Sequence, residues 1–129
     1  MAKKKIVVVD DEVDFLDLVK IRLEANNYQV VTASNGREGL EKIKKEKPDA
    51  VLLDILMPEM DGLKVLKAVR SVDKNMPIFI ITAFSNEERF KVANQFNASG
   101  FILKTNDLQG EIDKITSLLG IAGQSKANK

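Results

Sequence analysis

The sequence of 129 residues contains neither cysteine nor histidine. Without cysteine there is no disulfide, thiolate nucleophile or sulfur-ligated metal, and without histidine there is no Ser-His or Cys-His catalytic pair. No apolar run approaches the roughly 20 residues of a transmembrane helix, and no signal peptide is recognisable. These absences predict a cytoplasmic protein in which any metal is held by oxygen ligands, the kind that Mg²⁺ prefers.

The sequence also lacks an excess of charge of either sign. Lys and Arg number 20 and Asp and Glu number 19, which leaves a net charge of +1. Phosphate neutralisation needs a clear cationic excess, so direct nucleic-acid binding is not expected. Membrane association is not expected either, because no apolar run is long enough to span a bilayer. The length fits one domain. We predict that it covers residues 1–120 and that the small, polar residues 121–129 form a flexible tail or the start of a linker.

Five short β-prone apolar runs alternate with segments of helical periodicity. Four of the five runs are continuous rather than alternating, which suits strands covered on both faces of a parallel sheet. The alternation predicts an α/β fold, a doubly wound five-stranded parallel sheet with helices on both faces, and it fits the flavodoxin-like strand order 2-1-3-4-5. The strands are predicted at residues 6–9, 29–33, 50–53, 78–81 and 101–103.

Capping residues and apolar stripes mark the helices. Leu16, Val19 and Leu23 share one face of the first helix. The last helix is predicted to bury Ile112, Ile115, Leu118 and Leu119 and to fray beyond them. Helix starts are predicted at Asn35, Asp61, Ser85 and Asn106.

Polar side chains follow four of the predicted strands directly. Asp10 and Asp11 follow the first strand, Asp54 the third, Thr82 the fourth and Lys104 the fifth. The carboxyl ends of parallel strands meet at one edge of the sheet, where such folds place their sites. Two carboxylates about 4 Å apart repel by roughly 4 kcal/mol at an effective dielectric constant near 20. A hard divalent cation, Mg²⁺ or Mn²⁺ in its place, would offset this repulsion together with a lysine.

Each of these residues has an ordinary structural explanation when it is taken alone. Asp10 or Asp11 could cap the first helix, Thr82 could be a plain β-branched residue, and Lys104 could be a solvated lysine. Their joint occurrence at four strand ends is hard to obtain from turn chemistry. The pattern therefore favours a functional site.

The motifs VVVDDE, LLDILMPEMDG, ITA and GFILK resemble those of the receiver domain of two-component response regulators. The resemblance runs from about residue 5 to residue 119. It implies a signalling domain that accepts a phosphoryl group from a sensor histidine kinase or phosphotransfer protein and catalyses its own phosphorylation and dephosphorylation. It also implies that residues 85–119 form the face presented to a downstream output partner.

The resemblance further implies a metal site around a phosphoacceptor. Asp54 corresponds to the phosphoacceptor. Asp11 and Asp54 would ligate Mg²⁺ directly, together with the backbone carbonyl of Leu56, and Asp10 would act mainly through water.

A second group of residues is implied to respond to the phosphoryl group. Lys104, expected at a solvent-exposed edge of the sheet, would pair with one phosphoryl oxygen, and Thr82 would donate a hydrogen bond to another. Phe101 would change rotamer when Thr82 moves. Ala83 would leave the acceptor accessible.

Two local features modify the expectation. Thr105 stands where the family usually has proline, and we predict a trans peptide before it, because a cis bond there costs about 3 kcal/mol. Leu56 and Phe84 are apolar and bulky. If they flank the phosphoryl group they would hinder the entry of water, which predicts a long-lived phosphoryl group.

Three other classes of protein are compared with this interpretation. A flavodoxin-type cofactor binder would need a Ser/Thr/Gly-rich phosphate loop after the first strand, where Asp10, Asp11 and Glu12 would repel phosphate. A haloacid-dehalogenase-type phosphatase would need Asp-x-Asp, and Leu56 stands at the second position. A pseudo-receiver, an interaction module that is never phosphorylated, is disfavoured by the complete set of site residues.

Overall fold

The computed structural model describes residues 4–55, 57, 61–82, 87–104 and 108–127, without the side chains of residues 89, 108 and 120–127. Strands and helices alternate along the chain. Their order is β1 (Lys4–Val9), α1 (Val13–Ala25), β2 (Tyr28–Ala33), α2 (Gly36–Glu46), β3 (Ala50–Asp54), α3 (Gly62–Arg70), β4 (Ile78–Thr82), α4 (Glu87–Gln95), β5 (Gly100–Leu103) and α5 (Leu108–Ala127).

The five strands form one sheet in the order β2-β1-β3-β4-β5, and every neighbouring pair is parallel. This confirms the predicted fold class and strand order. Asp54 is paired with Ile81, and Thr82 is paired with Leu103. The register therefore brings the carboxyl ends of the central strands to the same edge.

Each strand contributes to two hydrophobic cores, because successive side chains point to opposite faces of the sheet. Ile6 and Val8 pack on the face covered by α1 and α5. Val7 and Val9 pack on the face covered by α2, α3 and α4. The helices cover both faces, which explains why the strand sequences are continuously apolar.

The helix starts that the structure describes confirm the capping predictions. The side chain of Asn35 accepts a hydrogen bond from the Glu38 N–H at 2.8 Å, and that of Asp61 accepts one from the Lys64 N–H at 3.0 Å. Ser85 and Asn106 lie outside the described residues.

The last helix is longer than its apolar stripe predicted. The expectation that the chain frays beyond Leu119 is wrong for the backbone, because α5 continues to Ala127. The division into a domain of residues 1–120 and a tail stays a prediction. The peptide before Thr105 lies outside the described residues, and its trans geometry also stays a prediction.

A buried arginine joins the ends of two helices. Arg70, the last residue of α3, is 7% exposed. Its Nε and Nη2 donate to the carbonyls of Phe96 and Asn97, both at 2.9 Å, and its Nη1 donates to the carbonyl of Asp73 at 3.1 Å. The guanidinium thus satisfies carbonyls just beyond the end of α4. Across the described ranges, every helix is too short or too polar to cross a bilayer.

Candidate functional site

Asp54 ends the central strand β3 and is only 4% exposed. The chain returns directly against it, because the Gly62 N–H donates to the carbonyl of Ile55 at 2.9 Å. A Cβ at position 62 would overlap the carbonyl oxygen of Asp54 and lie 2.8 Å from Ile55 Cα. Glycine is therefore required for α3 to begin at this place.

Two further carboxylates approach Asp54 from the loop after β1. Asp10 is buried and Asp11 is exposed, and one carboxylate oxygen from each of Asp10, Asp11 and Asp54 lies within 4.8 Å of the others. The N–H of Asp10 donates to the carbonyl of Ala33 at 3.0 Å, which fixes the loop against β2. Asp10 Oδ1 accepts the Glu12 N–H at 2.9 Å, so one oxygen shapes the turn and the other, Oδ2, is left for the site.

Lys104 follows β5 and extends its ammonium into the acidic cluster. Its Nζ lies 2.5 Å from Asp10 Oδ2, 2.8 Å from Glu12 Oε1 and 3.6 Å from Asp54 Oδ2. It also lies 4.5 Å from the centre of the Phe15 ring, a cation–π contact. Only 9% of the Lys104 side chain is exposed, so the expectation that this lysine lies at a solvent-exposed edge is wrong.

Burial and charge act against each other on the two central groups. Burial raises the pKa of Asp10, and the ion pair with Lys104 and the hydrogen bond from the Glu12 N–H offset only part of that rise. Burial disfavours the charged form of Lys104, but Asp10, Glu12 and Asp54 outweigh it and raise its pKa. The acidic neighbours of Lys104 therefore favour its charged form, whereas burial disfavours the charged form of Asp10.

The donor set fits a hard divalent cation. Asp10 Oδ2 is buried and accepts a well-formed hydrogen bond from none of the described residues, although Lys104 contacts it as an ion pair. Asp11 and Asp54 each supply an oxygen within 4.8 Å of a carboxylate oxygen of Asp10. Carboxylate oxygens gathered in this way are the ligands that Mg²⁺ prefers.

Thr82 and Phe101 lie on the same face of neighbouring strands. Thr82 is paired with Leu103, and Phe101 precedes Leu103 by two positions, so its side chain points to the same side as that of Thr82. Thr82 is buried, and its carbonyl accepts the Lys104 N–H at 2.7 Å. Phe101 is half-buried and meets Phe90 edge to face, with ring centres 5.0 Å apart.

The structure thus brings together Asp10, Asp11, Asp54, Thr82 and Lys104. The predicted site residues Leu56, Ala83 and Phe84 lie outside the described residues.

Sequence reasoning missed two side chains that contact Lys104. Glu12 continues the acidic run after Asp11, which was a usable signal. The ring of Phe15 had no comparable signal, because it reaches the site from the helix that follows.

The response regulator receiver domain model matches residues 6–116 of the chain. The chain belongs to this family. Phosphorylation and Mg²⁺ binding are general for receiver domains. The match decides against the flavodoxin-type and phosphatase alternatives. Relatives in this family are response regulators, which histidine kinases phosphorylate and which act on output domains.

Two Bacillus subtilis proteins illustrate the range of relatives. The alkaline phosphatase synthesis transcriptional regulatory protein PhoP is 39% identical over 101 residues, which are 78% of this chain and 42% of PhoP. Sporulation initiation phosphotransferase F is 31% identical over 119 residues, which are 92% of this chain and 96% of that protein. The receiver domain therefore spans less than half of the first relative and nearly all of the second.

A solved structure agrees with the fold. The response regulator TrrA from Thermotoga maritima, in complex with Mg²⁺-BeF, superposes with a TM-score of 0.78 at 33% identity, over 89% of this chain and 98% of TrrA. The similarity supports the receiver fold over nearly the whole domain.

Proposed function

We propose that this receiver domain accepts a phosphoryl group on Asp54 from a sensor histidine kinase or phosphotransfer protein, and so changes the surface that it offers to an output partner. One observation carries the proposal. Carboxylate oxygens of Asp10, Asp11 and Asp54 converge within 4.8 Å, and Lys104 Nζ is 3.6 Å from Asp54 Oδ2. This arrangement supplies a nucleophile, oxygen ligands for a cation and the positive charge of a lysine at one place.

Within this proposal, Asp11, Asp54 and the backbone carbonyl of Leu56 would hold Mg²⁺ directly, and Asp10 would act mainly through water. When bound, the cation offsets the negative charge of the phosphoryl oxygens and of the carboxylates around them. Mn²⁺ can take its place, because it also accepts carboxylate, carbonyl and water ligands.

The transfer is a substitution at phosphorus. An oxygen of Asp54 forms the new O–P bond, and the bond from phosphorus to the donor's nitrogen or acyl oxygen breaks with its electron pair leaving on the donor. Lys104 then pairs with one phosphoryl oxygen and Thr82 donates a hydrogen bond to another. Because its own residues supply these groups, we infer that the domain catalyses both its phosphorylation and its dephosphorylation.

Intact-mass analysis after incubation with acetyl phosphate and Mg²⁺ tests the assignment. We expect one added phosphoryl group on the parent, none on Asp54→Asn, and one on the control Asp17→Asn, an exposed aspartate of α1. An unmodified parent would favour the pseudo-receiver alternative, and a modified Asp54→Asn would move the acceptor elsewhere.

The output face is proposed to lie within residues 85–119. Its supporting observation is the position of Phe101 between the site and the surface. A cavity of about 440 Å³ between β5 and α5 is lined by Phe101, Ile102, Asp113, Lys114, Ser117 and Leu118. A rotamer change of Phe101, following Thr82, would break its edge-to-face contact with Phe90 of α4 and so alter the surface of the region that contains this cavity.

The lifetime of the phosphoryl group is proposed to depend on Leu56 and Phe84. Both side chains are apolar, and a water that attacks phosphorus in line gains no hydrogen bond from them. Phosphate release from the phosphorylated parent, Leu56→Asn and Phe84→Glu is the measurement. Faster release in the variants is expected, and equal or slower release in both would contradict the shielding argument.

We also propose that the domain is cytoplasmic and has neither nucleic acid nor membrane as a direct partner, and the net charge of +1 supports the part that concerns nucleic acid. The purified domain should leave the electrophoretic mobility of duplex DNA unchanged at moderate salt. A concentration-dependent mobility shift would contradict this part of the proposal.

A further inference from the structure

A groove of about 490 Å³ lies between the carboxyl ends of α2 and α3, near the amino edge of the sheet. It is therefore at the far end of β3 from Asp54. Its volume is within the range of about 300–1,000 Å³ that is usual for ligand sites. The groove is lined by Leu40, Ile43, Lys44, Lys47, Pro48, Val69, Val72, Asp73 and Met76.

The apolar lining is unusually open to solvent at one point. Val72 is 78% exposed, more than any other large hydrophobic residue in the described part of the chain. It stands at the mouth of a groove whose floor includes the buried side chains of Ile43 and Val69. A continuous apolar surface from floor to mouth is suited to receive an apolar side chain from outside.

The polar lining gives the groove a positive rim. Lys44 and Lys47 are both exposed, and neither forms an ion pair with any described residue. The one acid of the lining, Asp73, is already engaged, because its Oδ1 accepts the N–H groups of Asn75 and Met76 at 2.9 and 3.1 Å. Two lysines against one aspartate leave the lining with a net charge of +1.

Lys47 occupies a backbone conformation that lysine seldom adopts. Three non-glycine residues in the described ranges have positive φ, and two of them, Asn27 and Asn97, are of the type enriched there. Lys47, with φ 48°, is the third, at the position after α2 where glycine is the usual choice. Lys47 therefore lines the groove from a backbone position that glycine would adopt with less strain.

We propose that the groove between α2 and α3 docks an acidic polypeptide segment that inserts an apolar side chain beside Val72. Lys44 and Lys47 then meet the acidic residues that flank the inserted side chain. The groove is remote from the carboxyl edge of the sheet, so docking does not require phosphorylation.

Selection from a display library of random twelve-residue peptides on the unphosphorylated domain tests this proposal. We expect enriched peptides to combine Asp or Glu with a central apolar residue. Their affinity should fall at least 10-fold on Val72→Asp and about 5-fold on Lys47→Gly, and it should weaken with added salt. Lys20→Ala is the control and should bind as the parent does, because this partly exposed lysine of α1, which pairs with Glu24, lies on the other face of the sheet.

Lys47→Gly separates a loss of binding from a loss of folding. Glycine suits the positive φ, so this variant should unfold at an equal or higher temperature than the parent. Failure to enrich acidic-apolar peptides would overturn the proposal. So would selected peptides that bind Val72→Asp and Lys47→Gly as tightly as the parent.

Discussion

At the scale of single residues, the three carboxylates around Lys104 do not contribute equally to the free energy of unfolding. Glu12 is close, at 2.8 Å, but 61% of its side chain is exposed, so this ion pair is worth about 0–1 kcal/mol. Asp10 is 1% exposed and has no other cation near its Oδ2 among the described residues. Until a divalent cation binds, the main task of Lys104 is therefore to compensate the buried charge of Asp10.

Lys104→Met tests this task. Without divalent cations we expect the free energy of unfolding to fall by about 1–3 kcal/mol, because a buried carboxylate loses its partner. The loss should shrink when Mg²⁺ is added or when acid protonates Asp10. Urea denaturation with chelator, with Mg²⁺ and at lowered pH measures all three conditions.

Glu12→Gln is the control for that experiment, since it removes the exposed partner of Lys104 and leaves the buried one. Its effect on stability should stay within about 0.5 kcal/mol. If Lys104→Met and Glu12→Gln were equally mild in the presence of chelator, Asp10 would not depend on the lysine.

The position of polar residues directly after predicted strands was sufficient to predict that Asp54, Thr82 and Lys104 are neighbours. It could not predict how deeply Lys104 is buried. That burial depends on Phe15 and Glu12, which reach the lysine from a segment far away in the sequence. Side-chain environment at a site depends on such non-local packing, whereas position at a sheet edge follows from the alternation of strands and helices.

At the scale of secondary-structure elements, Arg70 joins α3 to the end of α4. Burial lowers its pKa, and the nearby charge of Asp73 offsets part of that effect. Three carbonyl groups accept hydrogen bonds from the one planar guanidinium. A single ammonium cannot reach all three in the same geometry.

Arg70→Lys is therefore expected to lower the free energy of unfolding by about 2–4 kcal/mol, despite the retained charge, because carbonyls near the end of α4 lose their donors. Urea denaturation gives the value. Lys64→Met, an exposed position on the same helix, should change stability by no more than about 0.5 kcal/mol. A mild Arg70→Lys would mean that water replaces the guanidinium without cost.

Gly62→Ala should separate α3 from the end of β3. The added methyl group would overlap the carbonyl oxygen of Asp54, so we expect a loss of about 1–3 kcal/mol from overpacking. Because the displaced backbone carries Asp54, phosphorylation by acetyl phosphate should also slow. A variant with parental stability and parental phosphorylation would contradict the close approach.

The capping residues of α2 and α3 were predictable because an N-cap is a local interaction between neighbours in sequence. The end of α5 was not. Small polar residues beyond Leu119 suggested fraying, yet the helix continues to Ala127. Weak local preferences of this kind do not determine where a helix stops.

At the scale of the whole molecule, the two hydrophobic cores are separated by the sheet, and Phe101 packs with the core beneath α2, α3 and α4. A rotamer change of Phe101 should therefore alter the packing of α4 and β5 more than that of α1. Hydrogen exchange of backbone amides in the complex with Mg²⁺ and beryllium fluoride, a phosphoryl mimic, measures this.

We expect the exchange rates to change mainly between residues 84 and 107. The amides of α1 and α2 serve as the internal reference and should change little. Changes confined to α1 and α2 would refute the placement of the output face.

The strand order β2-β1-β3-β4-β5 has a consequence for biosynthesis. The strands leave the ribosome in the order β1 to β5, so every strand after β2 belongs on the same side of the sheet. Asp10, Asp11 and Asp54 are made with or before β3, whereas Thr82 is made with β4 and Lys104 only after β5. A partly synthesised chain therefore contains the whole acidic cluster before it contains the lysine that compensates it, and the charge balance of this edge depends on the last strand.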